Sequence, residues 1–198
     1  MEIRLANEED CSALLDIYAQ YMETPITFEY TLPSQEEFAA RIRDILRCYP
    51  YLVCQEGTQI LGYAYGHRYK ERAAYQWGTE LSIYLDKAHT AQGLGKALYQ
   101  TLMELLRAQG VRTAYGCVTM PNERSERLHT GLGFRKIGIF RDAGYKCGQW
   151  HDVAWFEKAL ISTDAAPTPV TPLSSLPADY VRSVLRTALS PEKKPTSL

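Results

Sequence analysis

The sequence predicts an α/β domain in which one mixed sheet carries helices on both faces. Three observations lead there. Stretches of strict apolar/polar alternation, the sign of a pleated strand with two unlike faces, are interleaved with stretches whose apolar residues recur at helical spacing. Their order is strand, two helices, three strands, helix, strand, helix, two strands, which suits helices layered on a sheet. Finally, Gly93-Leu94-Gly95 lies between the central strand and the central helix, a strand–loop–helix unit whose following strand is placed for parallel pairing.

Ile3-Arg4-Leu5 opens as a short strand. Asn7 with Asp10 has the capping-box spacing for a helix with the stripe Cys11, Leu14, Leu15, Tyr18, Tyr21 and Met22, ended by Thr24 and Pro25. Ile26-Thr27-Phe28-Glu29-Tyr30 is an apolar, aromatic loop, so it is either packed or used. Ser34 with Glu37 is a second capping box, opening a helix to about Arg47. Tyr51 to Gln55 and Ile60 to Arg68 form a hairpin turned at Glu56-Gly57-Thr58, and His67 to Tyr75 links it to the central strand.

In that strand Trp77, Thr79, Leu81, Ile83 and Leu85 alternate with Gly78, Glu80, Ser82 and Tyr84, so Glu80 shares a face with Ser82 and Tyr84. Leu94, Ala97, Leu98, Thr101, Leu102, Leu105 and Leu106 then fall at helical spacing until Gly110. Thr113 to Val118 reads as the parallel neighbour of the central strand. Asn122 caps a short helix with Leu128, His129 and Leu132, stopped by Gly133. Phe134 to Arg141 and Trp150 to Trp155 are closing strands around a turn-rich Gly144-Tyr145-Lys146-Cys147-Gly148. Prolines and serines after about Ile161 mark a linker, and Asp179 to Leu189 a short amphipathic helix that would dock on its own domain or on a dimer mate, with recruitment of a partner as the alternative. The expected division is a domain over 1–160 and a tail over 161–198.

With 198 residues, 45% apolar and 23% charged, one domain can bury a core. A formal charge of -1 gives no basic field for nucleic acid, and no apolar run has the length of a membrane span. The N-terminus reads as a strand rather than a signal peptide, so the expected location is cytoplasmic. Cys11, Cys48, Cys54, Cys117 and Cys147 show no metal spacing and read as buried small hydrophobes; His67, His89, His129 and His151 are scattered, so no metal is expected.

At Gly93 and Gly95 a missing Cβ lets backbone N–H groups close on an anion at a helix N-terminus, where the dipole favours negative charge. A tight turn with nothing bound fits the loop equally well. The spacing lacks the four-residue gap of a P-loop and the third glycine of a dinucleotide fingerprint.

Gln92-Gly93-Leu94-Gly95 after an alternating strand resembles the acetyl-CoA pyrophosphate loop of the GNAT N-acetyltransferase superfamily, Gln/Arg-x-x-Gly-x-Gly/Ala, except that Thr90 stands where the pattern has Gln or Arg. The resemblance narrows to the phosphinothricin acetyltransferases at Thr27-Phe28-Glu29, Gly62-Tyr63-Ala64-Tyr65, Lys70-x-Arg72-x-x-Tyr75-x-Trp77, Pro121-Asn122-x-x-Ser125-x-x-Leu128-His129 and Gly144-Tyr145-Lys146-x-Gly148-x-Trp150. It covers residues 1 to about 160 and not the tail.

That resemblance implies a GNAT-type sheet whose central parallel strands splay apart to admit the pantetheine arm. It implies acetyl-CoA as cofactor, contacted by Ile83, Tyr84 and Leu85, by Thr90, Ala91, Gln92, Gly93, Leu94, Gly95 and Lys96, and by Asn122 and Ser125. Glu80 becomes the candidate base, because an amine must lose a proton before it can attack a thioester. The alternative for Glu80 is a carboxylate paired with a neighbouring cation. His129 becomes a candidate acid or cofactor contact, with an imidazole packed on its helix as the alternative. Phe28, Glu29, Lys70, Arg72 and Tyr75 match positions around an acidic amino-acid substrate, and the resembling enzymes are commonly homodimers. The expected reaction is acetyl transfer to a small glutamate-like amino acid; another amine acceptor, or a non-catalytic acyl-CoA sensor, are the alternatives.

Overall fold

The computed structural model describes residues 1–162 and 165–189. Strands β1 (Glu2–Leu5), β2 (Tyr51–Glu56), β3 (Gln59–Arg68), β4 (Gly78–Leu85), β5 (Thr113–Thr119), β6 (Arg135–Lys146) and β7 (Gln149–Ala159) form one seven-stranded sheet in the order β1-β2-β3-β4-β5-β7-β6. Every neighbouring pair is antiparallel except β4–β5, which is parallel. Helices α1 (Cys11–Ala19), α2 (Gln35–Leu46), α3 (Leu94–Ala108), α4 (Glu123–Gly131) and α5 (Ala178–Thr187) cover its two faces.

Strand alternation divides the core in two. Tyr51, Val53 and Tyr63 point to one face and pack under α1 and α2 against Leu14, Ile17, Tyr18, Phe38 and Ile42. Leu52, Cys54, Leu61, Ala64 and Leu81 point to the other and meet the α3 stripe Leu94, Leu98, Leu102, Leu105 and Leu106. Both capping boxes form: Asn7 with Asp10 at the short 3₁₀ turn before α1, and Ser34 with Glu37 at α2. Asp10 also accepts two 2.7 Å bonds from Arg4 of β1, tying the first strand to the first helix.

Four sequence expectations are corrected. First, α1 stops at Ala19 rather than at Thr24-Pro25, because Tyr21 and Met22 close 3₁₀-type bonds to Tyr18 and Ala19, and the Tyr21 hydroxyl donates to Leu85 O (2.5 Å). Second, Gly144, Tyr145 and Lys146 belong to β6. The β6–β7 turn is only Cys147-Gly148, both at positive φ (52° and 79°), the conformation of a tight two-residue hairpin. Third, the strand expected to end at Arg141 runs on to Lys146 through a register shift between Phe140 and Gly144, with Asp142 at φ 47°. Fourth, only Cys11 and Cys54 are buried; Cys48, Cys117 and Cys147 are exposed, and all five are free thiols.

The segment 165–189 lies on the domain. Leu173 and Val181 are buried against the α3 core, and Gln109 Nε2 donates to both Cys48 O (2.6 Å) and Thr171 O (2.8 Å). Trp77 Nε1 donates to Thr168 O (2.7 Å). Residues 163–164 and 190–198 of the expected tail lie outside the described residues.

Candidate active site

The site grows from what β4 does at its two edges. Along its β3 edge the ladder is complete, setting His67 beside Glu80, Tyr65 beside Ser82 and Tyr63 beside Tyr84. Along its β5 edge, pairing ends at Leu81–Gly116 although β4 runs on to Leu85 and β5 to Thr119. The strands therefore part, and the backbone of Ser82 to Leu85 has no ladder partner on that side.

On the Glu80 face, Tyr65 stacks on Tyr51 (4.7 Å between centroids), and Tyr84 meets Tyr18 edge-on (5.0 Å). Tyr18, Tyr51 and Tyr65 border a pocket of about 390 Å³ whose lining also includes Glu29, Arg41, Asp44 and His67. On the other side of Glu80 the register places Tyr115, on which Tyr69 stacks at 4.2 Å. Glu80 thus stands between two aromatic walls, its side chain 21% exposed. Burial pushes its carboxyl above the ordinary range; His67, whose Nε2 is 4.0 Å from Oε1, pulls it back in part.

The glycine loop follows. Ala91 (φ 64°) and Gly93 (φ 83°) are both left-handed, and Gly93 as cap residue has no side chain to close on the first-turn amides of α3. Backbone N–H groups in such a turn form a concavity for an anion. A Cβ on Gly93 would meet nothing within 4 Å, so the requirement there is conformational. Gly95 is different: it is buried, and a Cβ would lie 3.4 Å from Leu128 and 3.5 Å from Ile83, against the wall of the gap. Thr90 holds its hydroxyl on Lys87 O (3.2 Å), while Gln92 is exposed.

Asn122 caps α4 by accepting from Ser125 N (3.1 Å). Ser125 O lies 2.8 Å from His129 Nδ1 and can only accept, so the ring hydrogen is on Nδ1 and Nε2 carries a lone pair. Among the described residues that Nε2 is buried without a hydrogen-bond partner, and it faces Gly116, where a Cβ would lie 2.3 Å away. Gly116 is the β5 residue at which the strands part, so an unsatisfied acceptor lies under the apex of the gap. Burial lowers the pKa of His129, so the ring is neutral near pH 7.

The residues matched to a substrate site divide. Phe28 packs over Gly144 and lies 6.3 Å from the His151 ring. The buried Lys146 ammonium donates to Thr27 O (2.6 Å) and Glu29 O (2.8 Å), fixing the loop. Glu29 reaches the pocket, where Arg41 Nη1 donates to it at 2.6 Å. Lys70, Arg72 and Tyr75 lie outside the pocket lining. Lys70 sits between the rings of Tyr69 (5.0 Å) and Tyr75 (4.9 Å), and Arg72 precedes the 3₁₀ turn Ala73–Tyr75. Sequence reasoning missed Arg41 and His67. The alternation Tyr63, Tyr65, His67 could have placed His67 on the Glu80 face; Arg41 gave no signal, because an arginine flanking Phe38 and Ile42 looks like any solvated helix residue.

The family model described as an acetyltransferase (GNAT) domain matches residues 3–155. The chain belongs to the GNAT acetyltransferases. It is 34% identical to a phosphinothricin N-acetyltransferase of Streptomyces viridochromogenes over 177 residues, 89% of this chain and 96% of that one. It is 30% identical to an L-methionine sulfoximine/L-methionine sulfone acetyltransferase of Salmonella typhimurium over 169 residues, 84% and 98% of the two chains. Among solved structures, a GNAT phosphinothricin acetyltransferase from Sinorhizobium meliloti in complex with AcCoA superimposes with a TM-score of 0.80 at 34% identity, over 84% of this chain and 92% of that one.

Proposed function

We propose that this GNAT acetyltransferase moves acetyl from acetyl-CoA to the amino group of a small glutamate-like amino acid, of the phosphinothricin or methionine sulfoximine type. The observation that carries the reading is Glu80, withdrawn from water beside His67 of the pocket lining and one residue before Leu81, the last β4 residue paired with β5. The chain's residues fit acetyl-CoA: an anion cradle at Ala91 to Gly95 and a gap with unladdered backbone.

When bound, acetyl-CoA supplies an activated acetyl thioester. Glu80 takes the proton of the substrate ammonium, directly or through a water, leaving the amine able to attack; the C–N bond would then form as the C–S bond breaks, and the departing thiolate would be protonated from Glu80 or through solvent. The amides of Ile83 and Leu85, which alternate away from β3 and face the gap, stabilise the negative charge that develops on the acetyl oxygen. His129, neutral and with its hydrogen committed to Ser125 O, is packed behind Gly116 among the rings of Tyr99, Phe134 and Phe156, and positions β5 where the strands part. Glu29 and Arg41 offer opposite charges to the ammonium and carboxylate of an amino acid, and Phe28, packed over Gly144, holds the loop that carries Glu29.

A second reading keeps the transfer and changes the acceptor to a less acidic amine. It is favoured by the engagement of Lys70 with two tyrosine rings, away from the pocket lining. Thiol release from acetyl-CoA across a panel of phosphinothricin, methionine sulfoximine, neutral amino acids and polyamines decides between them. Acyl-CoA binding with no thiol release for any amine would leave only the sensor. We further propose a homodimer: β6 is an edge strand, and Ile137, Ile139, Phe140 and Trp150 on its hairpin are exposed. A monomer in equilibrium sedimentation would sink that part.

A further inference from the structure

The glycine loop offers an anion the N–H groups at a helix start and the Lys96 cation in the first turn of α3, while its entry holds the uncharged Thr90. A further positive charge stands beside that entry on another element. Arg124, exposed in the first turn of α4, donates from Nη1 to Thr90 Oγ1 at 3.4 Å, and the Thr90 hydroxyl hydrogen goes on to Lys87 O. The neighbouring charges of α4 are paired, Arg127 with Glu123 (3.2 Å) and Lys136 with Glu126 (2.5 Å). Among the described residues Arg124 has no carboxylate partner, and its one hydrogen bond is to a neutral hydroxyl.

Its placement is otherwise unfavourable, since a cation in the first turn of a helix lies against the helix dipole. Its surroundings show where the guanidinium stands. Leu128, one turn along α4, lies against Gly95 of the loop. The Tyr21 hydroxyl donates to Leu85 O, the last residue of β4; burial and the Asp86 carboxylate raise that phenol, while the Leu85 bond and the charge of Arg124 lower it. Arg124 is therefore held at the mouth of the gap, between the end of β4 and the anion cradle.

We propose that Arg124 supplies the cation that grips the diphosphate of coenzyme A, a role the loop itself leaves open at Thr90. The proposal rests on the acetyl-CoA reading above. A planar guanidinium can bridge two phosphate oxygens with parallel N–H bonds. Holding on Thr90 and leaning over the loop, Arg124 reaches the same ligand that the α3 amides face.

Titration calorimetry on the full chain tests this, with coenzyme A and with dephospho-coenzyme A, which keeps the diphosphate and lacks the 3′-phosphate. Arg124→Ala is expected to weaken both ligands alike, by about tenfold, the worth of one charge-assisted contact. Adding Thr90→Arg to that variant is expected to restore most of the loss, because the charge returns to the same end of the cradle. Unchanged affinity in Arg124→Ala overturns the assignment while leaving the acetyl-CoA reading intact. A loss confined to coenzyme A also overturns it, since the contact would then be to the 3′-phosphate. A loss that Thr90→Arg does not recover, equalled by Arg124→Lys, marks a packing role and overturns it as well. A parent that binds neither ligand removes the acetyl-CoA reading and this assignment together.

Discussion

Glu80 is held in two opposing fields, a desolvating one from the aromatic walls and an attractive one from His67. Glu80→Gln keeps the shape and removes the basicity, so turnover at pH 7 is expected to fall by roughly 10² to 10⁴, the usual worth of one acid–base group. Part should return at higher pH, where more of the amine is already neutral; a deficit constant from pH 7 to 10 would indicate positioning instead. The acidic limb of the parent's profile follows from the sign of the shift. A base whose pKa is raised is protonated, and useless, at a higher pH than an ordinary carboxylate, so kcat/KM should decline as pH drops through a value above the usual carboxylate range. His67→Ala removes the opposing charge and should move that limb to still higher pH; an unmoved limb would show that a group other than Glu80 titrates. The position of Glu80 on its face was legible because alternation fixes it. The surroundings that tune it were not, since Tyr69, Tyr115 and His67 converge only through pairing of three strands.

At the scale of elements, the strand–loop–helix unit was readable from local chemistry alone. Its glycines, however, serve unlike purposes. Gly93→Val forces a branched residue to φ 83°, deforming the cradle, whereas Gly95→Val thrusts methyl groups toward Ile83 and Leu128 in the gap. Both should weaken acetyl-CoA strongly by calorimetry in folded protein, and unaltered titrations would refute the phosphate-loop reading. The β6–β7 turn was placed too broadly because glycine and lysine inside a bulged strand resemble a loop; only the pairing shows otherwise. The same difficulty affects the link from His67 to Tyr75. Its cations matched an anionic substrate, yet Lys70 is engaged by two rings outside the pocket lining, and Arg41 is the cation in the lining. If the link still meets substrate, Lys70→Ala with Arg72→Ala raises KM for an anionic amino acid far more than for acetyl-CoA. If Arg41 is the reader, Arg41→Ala does so instead, and comparing the two variants on one substrate separates them.

Across the whole molecule the two cores make different demands, one roofed by α1 and α2 around the pocket, the other closed by α3 and the segment 165–189. The linker composition suggested a tail apart from the domain. Apolar periodicity in Asp179 to Leu189 already required a cover, but the sequence could not say what would provide it. Leu173 and Val181 are buried on the α3 side, Leu173 N donates to Cys48 O (3.1 Å), and the Tyr180 hydroxyl donates to Glu104 of α3 (3.0 Å). Glu104 is about 15 Å along α3 from its first residue, Leu94, toward the end remote from the anion cradle. Ending the chain after Ala165 should therefore leave coenzyme A affinity near the parent's. Stability should fall, because two buried aliphatic side chains are worth about 1.5–3 kcal/mol each and Gln109 would lose its acceptor at Thr171. Thermal unfolding followed by circular dichroism, with calorimetry on the same sample, measures both. A truncated chain that unfolds at the parent's temperature would show that this packing contributes little, and one that is folded yet has lost coenzyme A would mean the segment completes the binding site from the far end of α3.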